Sequence, residues 1–314
     1  MYTKISTAKM SREEWLKLRK TGLGGSDAGA VCGLNPYSSQ MKVFRDKTCS
    51  VPDSQETQDN EATRQGQDLE DYVAKRFMEA TGLKVHRSNY MYRSKEYPFM
   101  IADVDRLVTG EDAGLECKTV SAYNADKWKN GEIPPHYVMQ CYHYMAVTGK
   151  RTWYIAAVIL GREFTYRKLE WDEELIRQMV AVEQHFWEEH VVKEILPPPD
   201  GSEVCDEVLG KYFGTARQGG TARLVGFDEK LARREEILEQ MALLKQEQNR
   251  IEQEVKLFMQ DNESAASENS RVTWGNVETT RLDTKRIKME MPDIYRDYSQ
   301  VSVSRRFQVK VTAA

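Results

Sequence analysis

The sequence predicts an α/β protein: a core with a central mixed sheet flanked by helices, then a helical, coiled-coil segment and a small α+β C-terminal module. Three patterns carry the prediction. Residues 102–108 and 114–120 read as two strands joined by a polar, Gly-bearing turn. Helical periodicity brackets that pair, over 66–81 before it and 136–146 after it. Farther on, over 228–260, apolar residues recur in steps of four and three. The expected division is a core over 1–200, a linker and helical segment over 201–270, and a small basic module over 271–314.

The first element of note is the Gly-rich run 22–30. It lacks the spacing of a P-loop, and no predicted strand precedes it as a dinucleotide fingerprint requires. Ser26 or Asp27 before Ala-Gly-Ala-Val-Cys reads as an N-cap opening a short buried helix, whose terminal N–H groups can also hold a phosphate. The next helix opens at Gly66-Gln67-Asp68, repeats Leu69, Val73, Phe77 and Met78, and stops at Thr81-Gly82. That start places Glu70 in the N-terminal turns, where the helix dipole alone would favour a carboxylate.

The strand pair carries the chemistry. Successive side chains point to opposite faces, so Glu116 and Lys118 share one face and Cys117 points away. A hairpin through 109–114 folds Asp105 back onto that face. Two neighbouring carboxylates with a backbone carbonyl close by suit a hard cation such as Mg²⁺, which takes oxygen ligands and keeps several waters. Lys118 then either orients an attacking water and lowers its pKa, or neutralises charge developing on a phosphate. The same three residue types also describe an ordinary solvated face, so the trio needs support from elsewhere. The apolar-aromatic helix 136–146 supplies some: its amide, Gln140, shares a face with Tyr137 and Tyr144. Buried there, Gln140 must find a partner, which could be water, a metal or a phosphate.

At the end of the core, 171–194 reads as an amphipathic helix with Leu175, Met179, Val182 and Phe186 on one face, ended by Pro197-Pro198-Pro199, which mark the core's edge. His185 and His190 lie on it at a five-residue spacing, which does not put a zinc pair on one face. The seam Ile237, Met241, Leu244, Gln248, Ile251, Val255 and Phe258 suits either a helical hairpin or self-association. Residues 261–270 read as a soluble linker, and Val272-Thr273-Trp274 as a strand.

Composition bounds the function. At 314 residues and 40% hydrophobic, the chain can bury a sizeable core, and no run of it approaches a membrane span. No cleavable leader is evident at Met1-Tyr2-Thr3-Lys4. Five cysteines without paired spacing fit a reduced, cytoplasmic protein that holds neither zinc nor an iron–sulfur cluster. A net charge of −4 runs against a DNA-binding role, which draws on neutralising phosphates. Residues 271–314, with nine Lys and Arg against five Asp and Glu, offer a local basic surface or simply a mixed-charge module.

Together these residues resemble the PD-(D/E)xK nuclease superfamily and, within it, the lambda exonuclease and YqaJ viral recombinase family. The order Trp15-x-x-x-Arg19, Ser26, Glu70, Asp105, Glu116-x-Lys118, Gln140 and Trp153-Tyr154 follows the family's motifs over about 11–169. The C-terminal segments 282–287, 292–295 and 304–307 are similar to the tail of many YqaJ-type proteins. The resemblance implies a restriction-endonuclease-like core with Asp105, Glu116 and Lys118 as catalytic acids and lysine. The Cys117 carbonyl would be an extra metal ligand, Glu70 a helical carboxylate assisting the metal directly or indirectly, and Gln140 an amide that positions the metal or nucleophile. Arg19 and Ser26 would contact the 5′ phosphate of the strand being digested. Arg106 departs from the pattern, because a glycine often follows the core Asp; Asp103 is the weaker rival for that role.

The implied activity is Mg²⁺-dependent, with Mn²⁺ able to substitute: 5′-to-3′ digestion of linear double-stranded DNA that leaves 3′ single-stranded tails. The implied setting is phage or prophage recombination in the bacterial cytoplasm, beside a RecT/Bet-type annealing protein, by a ring-shaped homotrimer. Two alternatives stand beside it: a structure-specific or restriction-type endonuclease using the same residues, and a catalytically silent DNA-binding or assembly module.

Overall fold

A computed structural model of the protein describes residues 2–49 and 61–310. The chain divides into two compact units, 1–214 and 215–314. The first opens with β1 (Tyr2–Ser6), α1 (Arg12–Lys20), α2 (Gly25–Val31), α3 (Gln40–Thr48) and α4 (Glu61–Thr81). Then come β2 (Val85–Arg87), β3 (Tyr90–Ser94), β4 (Ile101–Asp103), β5 (Arg106–Val108) and β6 (Ala113–Val120). A 3₁₀ segment (Ala122–Gly131) and α5 (Pro135–Thr148) lead to β7 (Thr152–Ile159) and β8 (Glu163–Glu170), and α6 (Glu173–Phe186) and α7 (Glu203–Phe213) complete the unit. The unit runs past residue 200 because α7 buries Cys205 and Val208 against Met41 of α3.

The expected central mixed sheet is present, with strand order β2-β5-β6-β7-β8. Only β6 and β7 run parallel; the other pairs are antiparallel. A parallel pair cannot be joined by a tight turn, and the 3₁₀ segment with α5 provides the crossover. Strand alternation divides the flanking helices between two clusters. Leu115 and Tyr154 pack with Val73, Ala74 and Phe77 of α4, whereas Trp153 and Ile155 pack with Cys141, Tyr144 and Met145 of α5. Glu116 and Lys118 therefore belong to the α5 side, and Cys117 to the α4 side, where it packs against the first of those clusters.

Several expectations are corrected. The stretch 102–108 is two strands in two sheets: β4 closes a three-stranded sheet in the order β1-β3-β4, and β5 joins the mixed one. Asp105 lies at the corner between them, ahead of β5 rather than at the end of a strand. Helix α4 is already formed at Glu61, so Gly66 is inside it and Glu70 sits well beyond its first turn. The dipole accordingly gives no account of Glu70; a mid-helix glycine, costing about 1 kcal/mol against alanine, had looked like a start. Helix α2 is capped by the Gly24 backbone, not by Ser26 or Asp27; the Asp27 carboxylate accepts the Gly24 N–H at 2.8 Å. A π-turn over Trp187–Val191 continues α6. Its wider turn brings residues five apart onto one side, so the His185 and His190 rings stand 6.2 Å apart, edge to face.

In the second unit, α8 (Asp228–Met259) is a single helix of 32 residues. Ile237, Met241, Leu244, Ile251 and Phe258 of the seam are exposed on it. The unit's other described helices, α9 (Thr284–Glu290) and α10 (Pro292–Asp297), have 7 and 6 residues, too short to form the second arm of a helical hairpin. Residues 261–270 are no linker: β9 (Ser264–Ala266) pairs antiparallel with β10 (Arg271–Thr273) across a turn closed by Ser267 N–H to the Ser270 carbonyl at 2.8 Å. Serine and asparagine served that turn, and their polarity had looked like solvation.

Candidate active site

The hairpin between β5 and β6 forms with Arg106 opposite Leu115 and Leu107 opposite Gly114, so its turn is 109–112, shorter than the expected 109–114 because Ala113 and Gly114 already belong to β6. It brings the Asp105 carboxylate to the β6 backbone, where Oδ2 accepts the Cys117 N–H at 2.8 Å. On the same side, the Glu116 Oε1 oxygen takes the Lys118 ammonium at 2.6 Å and the Gln140 amide at 2.7 Å. The Gln140 carbonyl in turn accepts from Lys118 at 3.0 Å, and its NH₂ also reaches the Tyr144 hydroxyl at 2.8 Å. The amide can face only this way, because turned round it would set NH₂ against the ammonium and oxygen against the carboxylate. Gln140 thus finds its partners within the protein. Tyr137, on the same helical face as foreseen, places its ring 4.5 Å from Lys118 Nζ.

The electrostatics are unbalanced in one direction. Burial pushes the Asp105 carboxyl well above the usual carboxylate range, and repulsion from Glu116 and Glu70 adds to it. Burial alone would lower Lys118, but the charge of Glu116, with that of Asp105 and a hydrogen bond to Glu116, outweighs it and holds the ammonium above its ordinary range. Lys118 is therefore a cation and a donor, not a base, at neutral pH. One oxygen is left over: Glu116 Oε2 is buried without any hydrogen-bond partner. An orphaned carboxylate oxygen beside a second crowded carboxylate fits a hard divalent cation. Among the described residues no three His, Cys, Asp or Glu side chains converge as a metal cluster. Two carboxylates would be completed by the Cys117 carbonyl and water, a set suited to Mg²⁺.

The N-terminal motif meets this centre. The Arg19 guanidinium donates to Ser26 Oγ at 2.7 Å and lies 5.0 Å over the Trp15 ring. The Trp15 indole N–H donates to Asp103 at 2.7 Å. Burial pushes Asp27 up, but Lys47, 2.7 Å away, and Arg19 outweigh it, so its carboxyl is held below the ordinary range. A cavity of about 120 Å³ is lined by Arg19 and Ser26 together with Asp105, Glu116 and Gln140. Of the residues singled out in the sequence, Glu70, Cys117 and Lys118 are not on its wall: the Glu70 carboxylate is paired with the Arg106 guanidinium, and Lys118 stands behind the wall on Glu116 and Gln140.

Three neighbours of the centre carry no role in the sequence reading: Tyr144 is there only a neighbour on the helix, Asp103 only a rival, and Arg106 only a departure. Apart from the cavity, a buried pair between His143 and Glu183 at 2.9 Å joins α5 to α6. His143 at i+3 from Gln140 was its one local signal, since polar residues on an apolar helix demand partners.

Residues 14–151 match the YqaJ-like viral recombinase domain. The protein named "Uncharacterized protein YqaJ" of Bacillus subtilis (strain 168) is 37% identical over 306 residues, which span 96% of this chain and 95% of that one. Among solved structures, the alkaline exonuclease LHK-Exo from Laribacter hongkongensis is 20% identical, covering 58% of this chain and 94% of its own, with a TM-score of 0.48. Its complex with dAMP gives 21% identity over the same shares and a TM-score of 0.49. A phage related exonuclease from Haemophilus somnus 129PT is 15% identical, covers 57% of this chain and 99% of its own, and has a TM-score of 0.41. With more than a third of residues shared along nearly the whole of both chains, this protein belongs to the YqaJ-like viral recombinase family.

Proposed function

We propose that this protein is a divalent-metal-dependent exonuclease that digests linear double-stranded DNA from 5′ ends. The 3′ tails it leaves would be substrates for a RecT/Bet-type annealing protein in phage or prophage recombination. One observation carries the reading: a single cavity is lined both by Arg19, hydrogen-bonded to Ser26, and by the carboxylates Asp105 and Glu116. A terminal phosphate at Arg19 would leave a phosphodiester of the same strand toward the carboxylates.

Asp105, Glu116 and the Cys117 carbonyl would hold Mg²⁺ or Mn²⁺. When bound, the cation supplies Lewis-acid stabilisation of charge on the phosphate. The protein's own groups do the rest. Lys118, kept protonated by Glu116, offers its ammonium to charge on the phosphate or to an attacking water. Gln140 fixes Glu116 and Lys118 relative to each other through both ends of its amide. Tyr144 buttresses that amide from below.

The deciding experiment compares a linear duplex bearing 5′ phosphate, the same duplex with 5′ hydroxyl, and a closed circle. The phosphorylated end should be digested faster by on the order of tenfold to a hundredfold, an advantage that Arg19→Ala removes while slow digestion of both ends persists. Cutting of the circle would instead identify an endonuclease, and no digestion of any substrate would identify a silent module. A second result concerns Gly25, where an added Cβ would lie 2.5 Å from the Tyr144 ring and 3.1 Å from Gln140 Cγ. Gly25→Ala should slow digestion by on the order of a hundredfold through displacement of that amide. A rate within about twofold of wild type would mean that the ring yields without moving Gln140.

A further inference from the structure

Arg106 stands beside the catalytic Asp105 yet faces the other way. It pairs directly opposite Leu115 in the β5–β6 register, and Leu115 packs with α4. Directly opposite residues share a face, so the Arg106 side chain runs to the α4 side while Glu116, next to Leu115, points to the α5 side. Arg106 is buried, with its side chain 4% exposed, and all its recorded partners are acceptors. One guanidinium nitrogen holds Glu70 and also donates to the Asp105 carbonyl at 2.7 Å; the other holds Asp71 at 2.6 Å. Arg87, opposite Arg106 in the β2–β5 register, takes the second Asp71 oxygen at 2.7 Å. Two like charges directly across a ladder repel unless anions lie between them. Glu70 and Asp71 are those anions, so Glu70 is committed to an ion pair on the far side of the strand from Glu116.

We propose that Arg106 is a positioning residue that holds Glu70 away from direct metal contact, leaving Asp105 and Glu116 as the metal's two side-chain ligands. The inference rests on the metal-dependent reading above and deepens it. Arg106 also pins the Asp105 peptide by its carbonyl, so the same guanidinium sets the corner from which the Asp105 carboxylate reaches the Cys117 N–H.

The test is Mn²⁺ binding to the full-length protein, followed by the electron paramagnetic resonance signal of free Mn²⁺, without DNA and without reference to turnover. Glu70→Gln, which can still accept from Arg106, should leave affinity within about twofold of wild type, because Glu70 is not a ligand. Arg106→Gln removes a positive charge and releases Glu70, so Mn²⁺ should bind on the order of tenfold more tightly or at an added site. The double variant Arg106→Gln/Glu70→Gln should lose the part of that gain due to Glu70, and Arg106→Lys should stay near wild type. A loss of tenfold or more in Glu70→Gln would overturn the inference by making Glu70 a ligand, and this variant serves even where Arg106→Gln does not fold. Unchanged Mn²⁺ binding in a folded Arg106→Gln would also overturn it. A wild-type chain that binds no Mn²⁺ would overturn the metal-dependent reading itself, and this inference with it.

Discussion

Glu116→Gln removes DNA digestion by on the order of a thousandfold or more, while the metal-free protein melts no lower than wild type. The two outcomes have one cause. Glu116 is 3% exposed, carries a buried oxygen without a partner, and crowds a second buried carboxylate at Asp105. Lys118 offsets one of these two buried charges, and the net negative charge that remains opposes folding until a further cation binds, so the group most needed for metal binding is a liability without metal. Glutamine keeps the shape and an acceptor for Lys118 and Gln140, but removes the charge. The pH dependence gives a second reading of the same effect. Asp105 has its folded pKa raised above the unfolded value, so its contribution to stability is fully present below the ordinary carboxylate pKa and is lost as pH rises through the raised value. Thermal unfolding in excess chelator should therefore show wild type losing stability over that rise. Glu116→Gln, with the repulsion gone, should lose less. A variant that keeps the wild-type slope, or that digests DNA at a tenth of the wild-type rate, would sink this account.

Glu183→Ala lowers stability by about 3–5 kcal/mol and the melting temperature by on the order of 10 °C. Glu183 and His143 are both fully buried, and the ring Nδ1 lies 2.9 and 3.0 Å from the two carboxylate oxygens. The other ring nitrogen faces the Ile101 carbonyl at 2.9 Å, so both nitrogens meet acceptors and the ring is an imidazolium. Burial pulls the His143 pKa down, but the charge and hydrogen bond of Glu183 outweigh it and raise it above 6.5. Taking away the carboxylate leaves either a buried unpaired cation or a neutral ring with an orphaned nitrogen. The sign with pH is opposite to that of an ordinary salt-bridged carboxylate: His143 adds stability below its unfolded pKa, lost as pH rises through its raised folded value. Calorimetry between pH 6 and pH 10 should show this loss in wild type and not in Glu183→Ala. Glu183→Gln should fall between them, since its amide oxygen still accepts. A Glu183→Ala protein that melts within about 2 °C of wild type would show that the pair contributes little to the fold.

Much of the centre was legible because it depends on spacing within one element or one turn. The i, i+2 spacing of Glu116 and Lys118, the hairpin between β5 and β6, and the placement of Gln140 with Tyr137 and Tyr144 follow from periods of 2 and 3.6 residues. The same local reasoning failed where two signals competed. Gly66 looked like a boundary because glycine disfavours helix, yet α4 continues through it on the strength of Val73, Ala74 and Phe77 packed against the sheet. Residues 102–108 looked like one strand because alternation continues across a corner at which the chain changes sheets.

By itself, then, the sequence determined the α/β class and the shared face of β6 on which Glu116 and Lys118 stand. Only the tertiary structure decided how these meet the rest. Trp15 reaches Asp103 across 88 residues, and His143 reaches Glu183 across 40. Arg19 comes to share a cavity with Glu116. Arg106 pairs with Glu70 of α4 across 36 residues. The physical reason is that local periodicity sets which way a side chain points, whereas its partner depends on strand order and on which helix covers which face. Those are settled by burial of the whole apolar surface at once.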